Sequence, residues 1–122
     1  MRRPARSERG IVTAETAMAL PVLLALTLAL VWLLSLGLTQ VLVLDASREA
    51  ARSLARGDPV ASALAAGRRV APGGSDFAIH QEDTWVEVEV TAPAGRPSGL
   101  LGFLPSVRLS GRSVAQVEEG AQ

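Results

Sequence analysis

Between Thr16 and Leu44 the chain carries no charged residue. A run of about 29 such residues exceeds the roughly 20 that a helix needs to cross the hydrocarbon layer of a bilayer. A membrane-spanning helix is therefore expected, and the rest of the chain must be arranged at its two ends. Glu15 lies just inside the amino end of this segment. A carboxylate costs about 2.5–3.5 kcal/mol near the bilayer centre and less towards its surface. Glu15 must either find a cationic partner or lie in the headgroup zone and reach out to water.

The flank before the span holds Arg2, Arg3, Arg6 and Arg9 against the single acid Glu8. An excess of arginine keeps its side of a span in the cytoplasm, so residues after Leu44 are expected outside a cytoplasmic membrane crossed once. A removed secretory signal also has a basic head and an apolar segment. Its apolar part is only about 7–15 residues and ends in a small-residue cleavage site, whereas this run continues to Asp45. Arg2-Arg3 is a weak match to a twin-arginine signal.

A basic head, Gly10 immediately before an apolar helix, and Glu15 at the fifth position after that glycine resemble the class III leader of Flp-type, tight-adherence type IV pilins. The resemblance implies that a prepilin peptidase cuts between Gly10 and Ile11 and that the helix is retained. It also implies that Glu15 is the acid that pairs with a neighbouring subunit. Cleavage there creates an α-amino group on Ile11, and the partial positive charge of the helix start also favours a carboxylate nearby. Major pilins of the family commonly place an aromatic residue after the glutamate, where this chain has Thr16, and they are little more than a helix. The resemblance is therefore to the TadE-like minor pilins or pseudopilins. The partners it implies are the peptidase, other pilin subunits and membrane pilus-assembly proteins, with lipid around the span, and an end in a cell-surface pilus is one fate it allows. The alternatives are an unprocessed single-pass protein whose exterior domain binds an envelope partner, and a secreted small binding domain.

Three segments follow: a leader over 1–10, a transmembrane and amphipathic helix over 11–57, and a small extracytoplasmic α+β domain over 58–122. The helix continues past Leu44 because Val43, Ala46, Ala50, Ala51 and Leu54 share one face while Asp45, Arg48, Glu49, Arg52 and Arg56 share the other. Asp45 with Arg48, and Glu49 with Arg52, are spaced to pair. Pro21 predicts a bend, and Trp32, deep in a span centred between Glu15 and Leu44, is expected only to pack on lipid or helices. Gly57-Asp58-Pro59 ends the helix and starts another, with Asp58 as its cap, running to about Val70 on Val60, Ala63 and Leu64. Ala71-Pro72-Gly73-Gly74-Ser75 breaks the pattern, and the period then becomes two.

Phe77 to His80 predicts a short strand, Gln81-Glu82-Asp83 its turn, and Trp85 to Thr91 a half-buried strand with Val86, Val88 and Val90 inward. Val107 to Val117 predicts a third, with Gly111 as the candidate for a bulge. The fold class is thus α+β, with a long amino-terminal transmembrane helix continuing as an amphipathic helix, then a small antiparallel β domain with one short helix. Arg108 or Arg112 is expected to face Glu87 or Glu89. The segment 92–106 is rich in Pro and Gly yet holds Leu100, Leu101, Phe103 and Leu104; it is expected to tuck over the core, with an exposed subunit contact as the alternative. Residues 118–122 predict a frayed tail.

Without residues 1–10 the chain retains 12 − 4 = 8 basic and 12 − 1 = 11 acidic residues, a balance that suits no nucleic-acid surface. Cysteine is absent and His80 is the lone histidine, so no disulfide, metal site or nucleophile can be argued. No cofactor, small-molecule substrate or enzymatic activity is expected.

Overall fold

The computed structural model describes residues 6–95, 99 and 102–120. Five elements follow in order: α1 over Arg6–Ala55, α2 over Val60–Val70, β1 over Asp76–Gln81, β2 over Trp85–Ala94 and β3 over Val107–Gln116. The α+β class expected from the pattern is the one that forms. At 50 residues, α1 is about 75 Å long, and it continues through Pro21 without interruption. Its amino-terminal part stands apart from the rest of the chain, while its carboxy-terminal third is a wall of the folded domain.

The three strands form one antiparallel sheet in the order β1-β2-β3. Alternation in β2 sends Val86, Val88, Val90, Ala92 and Ala94 to one face, where all are buried. The helices cover that face: Val43, Ala46, Ala50, Ala51 and Leu54 of α1 and Ala63 of α2 complete the core. Each buried valine contributes about 1.5–3 kcal/mol by leaving water. Because the helical side of this core is mostly alanine, α1 and α2 approach closely. A methyl group built on Gly67 would lie 2.8 Å from the Phe77 ring and 3.2 Å from the carbonyl oxygen of Ala46. The face of α2 turned inward is Ala63, Ala66 and Gly67, while Val60, expected to contribute, is exposed.

α1 closes as the sequence leads one to expect. Gly57 has φ +84°, its N–H donates to the Leu54 carbonyl at 2.9 Å, and the Asp58 N–H reaches the Ser53 carbonyl at 3.2 Å, the paired bonds of a Schellman stop. Asp58, however, does not cap α2. Its carboxylate accepts from the Ser53 hydroxyl at 2.7 Å and from Arg56 at 3.3 Å, so it is held on the end of the helix behind it. The Ser53 hydrogen bond, helped by the Arg56 charge against a smaller opposing effect of burial, holds its pKa below the ordinary carboxylate value.

Four further expectations change. Gly111 is not bulged, since the β2–β3 register runs unbroken from Trp85 opposite Gln116 to Ala94 opposite Val107. It is instead the point where α1 crosses β3: a Cβ there would lie 2.7 Å from the Leu44 nitrogen. The segment after Thr91 remains strand as far as Ala94, because the pairing with β3 continues there. In the loop that follows, Leu100 and Leu101 lie outside the described residues, and Phe103 is not tucked over the core but 78% exposed. At the far end, the Glu118 N–H donates to the Ala55 carbonyl at 3.2 Å, which ties the start of the expected tail to α1; residues 121 and 122 lie outside the described residues.

Candidate functional site

The candidate site is α1 itself, the longest element and the one whose amino-terminal part carries only exposed side chains. From Glu8 to Ala55 it is long and apolar enough to cross a membrane. Gly10, Ile11 and Glu15 all lie within it, and all are exposed. A side chain on Gly10 would meet nothing within 4 Å. Gly10, the expected last leader residue, thus lies inside the first turns of the helix, where glycine weakens it by about 1 kcal/mol relative to alanine.

The polar groups of the apolar stretch separate into two kinds. The hydroxyls of Thr13, Thr16 and Thr27 donate to the carbonyls of Arg9, Val12 and Leu23 at 2.8–2.9 Å, and those of Ser35 and Thr39 to Trp32 and Ser35. These back-bonds satisfy the hydroxyls inside the helix, which is how such groups are tolerated in lipid. Gln40 and Trp32 reach the folded domain instead, donating to the carbonyls of Ser110 at 3.1 Å and Gly95 at 3.2 Å. Glu15 alone remains: among the described residues no hydrogen bond or ion pair meets its carboxylate.

Trp32 is thus more than a lipid-facing or helix-packing residue. The domain packs against α1 well inside the uncharged run, since Gly95 approaches so closely that a Cβ there would lie 2.6 Å from the Trp32 indole nitrogen and 2.9 Å from Leu36. An indole N–H in apolar surroundings needs an acceptor, and that requirement was the one sign of this contact in the sequence. On the opposite side of the helix, Leu34, Leu38 and Val41 form a stripe at i, i+4 and i+7 that remains exposed beside the domain. Periodicity alone leaves this stripe indistinguishable from lipid-facing surface.

The outer face of the sheet is polar. Arg112 reaches Glu87 at 3.5 Å and Glu89 at 3.1 Å, as the alternation suggests, while Arg108 pairs instead with Asp76 on β1 at 2.9 Å. These exposed pairs are worth about 0–1 kcal/mol each. Asp45 with Arg48 and Glu49 with Arg52 pair along α1 at 3.5 and 4.0 Å. His80 is an exposed residue of β1, and among the described residues no three His, Cys, Asp or Glu side chains gather where they could hold a metal ion.

Comparison with known proteins agrees with the prominence of α1. The model of a family described as TadE-like protein matches residues 10–52, a stretch that starts at Gly10 and takes in the span and its amphipathic continuation. A Mycobacterium tuberculosis protein named Apoptosis inhibitor Rv3655c is 34% identical over 108 residues, covering 88% of this chain and 79% of that protein. No solved structure matches.

Proposed function

The chain belongs to the TadE-like protein family, and from that premise we propose that it is a minor pilin or pseudopilin of a tight-adherence pilus or a related secretion apparatus. A prepilin peptidase removes residues 1–10, α1 stays in the cytoplasmic membrane with its amino end inward, and the folded domain stands outside. Glu15 then meets the new α-amino group on Ile11 of a neighbouring pilin subunit. The observation that carries this reading is the isolation of Glu15. Every other polar side chain from Thr13 to Gln40 has a partner in its own chain, and a carboxylate kept in an apolar helix without one among the described residues is poorly explained by anchoring alone. The exposed stripe of Leu34, Leu38 and Val41 supports the same reading, because it offers an apolar face to the helices of other subunits or of membrane assembly proteins.

Glu15→Gln tests the proposal because the competing explanations differ in sign. The substitution keeps size and polarity but removes the charge, which makes membrane insertion cheaper. A purely anchoring residue would leave the variant retained at least as well as wild type. The expected outcome is a variant that is made, inserted and cut after Gly10, yet fails to crosslink or co-purify with processed pilin subunits. Assembly at the wild-type level would refute the charge pair.

A further inference from the structure

We propose that Phe103, between β2 and β3, inserts into the lipid leaflet on the domain's side, so that the domain rests on the membrane at a second point beside α1. The proposal rests on α1 crossing the membrane, and not on processing or pilus assembly.

The placement follows from three levels along α1. β3 runs alongside the helix away from the membrane: Ser110 is bonded to Gln40, Gly111 touches Val43 and Leu44, and Glu118 is bonded to Ala55. The opposite end of the sheet, where Ala94 pairs with Val107, is therefore the end nearer the bilayer, and there Gly95 accepts from Trp32. The exposed ion pair of Arg108 and Asp76 sits at this end, two residues before Ser110. Charged groups open to their surroundings do not lie in hydrocarbon, so the lipid must end below the level of Gln40.

The length of the free helix sets the same limit. From Ile11 to Val31 is about 21 residues and about 31 Å, the thickness of one hydrocarbon layer. Trp32 then falls at the interface, where an indole with an apolar body and a bonded N–H is at home. The β2–β3 loop leaves the sheet at this level. After Arg96 the sequence carries no charge as far as Val107, and Phe103, with the half-buried Leu104 beside it, is the most exposed large apolar side chain outside α1 among the described residues. A benzyl side chain exposed on a loop that leaves the sheet at that depth has lipid as its nearest apolar medium.

The chain contains no cysteine, so a single nitroxide label reports one position in the full-length protein. The label is placed by Phe103→Cys or, as the water-exposed control on the outer sheet face, by Val114→Cys; both side chains project from the fold, so neither change removes a core contact. The protein is held at one copy per nanodisc of phosphatidylcholine and phosphatidylglycerol, and relaxation by oxygen is compared with relaxation by a water-soluble nickel chelate. At 103 oxygen should prevail and the chelate effect should be lost, while at 114 the order should reverse. A label at 103 as open to the chelate as that at 114, or shielded from both reagents, would overturn the proposal. A second measurement needs no change in the loop: with Trp85→Phe, Trp32 is the sole tryptophan, and acyl chains brominated near the headgroup should quench it more than chains brominated near the terminal methyl. The reverse order would place the boundary elsewhere and remove the basis of the insertion.

Discussion

Gly111→Ala adds one methyl group at the crossing of β3 and α1, and the structure fixes what that methyl meets. It would lie 2.7 Å from the Leu44 nitrogen, 2.8 Å from the Leu44 Cα and 2.9 Å from the Val43 carbonyl carbon, where ordinary contacts begin at 3.4 Å. All three are backbone atoms of an unbroken helix, so no rotamer change relieves the clash. α1 is also tied to β3 on both sides of the crossing, by Gln40 to Ser110 and by Glu118 to Ala55. The helix must therefore move outward and loosen Val43 and Ala46 against the sheet. Overpacking of this kind costs about 1–3 kcal/mol, and the lower chain entropy of alanine in a strand offsets about 0.5–1 kcal/mol of it. Three contacts under 3.0 Å with backbone atoms place the cost in the upper half of that range, so a net loss of about 1–2 kcal/mol is expected. Gly73→Ala is the control, since nothing lies within 4 Å of its Cβ position and it should be neutral or slightly stabilising. Pulse proteolysis of the full-length protein across a urea series reads both variants. A Gly111→Ala midpoint equal to or above that of wild type would refute the close-approach account of this glycine.

Other outcomes follow from the same packing and charges. Val88→Asp places a carboxylate at a fully buried position with no cation beside it and should unfold the domain, while His80→Ala, on an exposed strand position, should leave protease resistance and function unchanged. Asp58 has a lowered folded-state pKa, so its stabilising contribution is complete above its unfolded-state value and is lost as pH falls through the folded one. The stability difference between wild type and Asp58→Asn should accordingly be constant above about pH 4 and shrink below it, as read from urea midpoints across pH. Gly10→Val, motivated by the leader-like spacing to Glu15, should leave the full-length form in the membrane, because a β-branched side chain crowds a peptidase that threads the backbone closely. Mass spectrometry showing Ile11 as the amino terminus of that variant would count against the proposed junction.

Much of this protein is written in periodicity. The uncharged run before Asp45, the switch to an amphipathic face at Ala46 and Ala50, the stop at Gly57 and the alternation of Val86, Val88 and Val90 each follow from local rules, because each element buries a face whose repeat matches its own geometry. The leader-like arrangement of Gly10 and Glu15 is legible for the same reason, being a spacing along one helix. Contacts between segments distant in the chain were decided only by the tertiary structure. Asp58 turns back to Ser53 because the helix stop brings that hydroxyl within reach, and Arg108 selects Asp76 over Glu87 or Glu89 because strand register, set by the core, places Asp76 nearer. Gly111 reads as a bulge until α1 is laid across it. Trp32 reads as buried in lipid until Gly95, 63 residues further on, supplies the acceptor its indole needs. A one-dimensional pattern records how apolar a face is, but only the packed chain determines whether lipid, its own domain or a neighbour covers it.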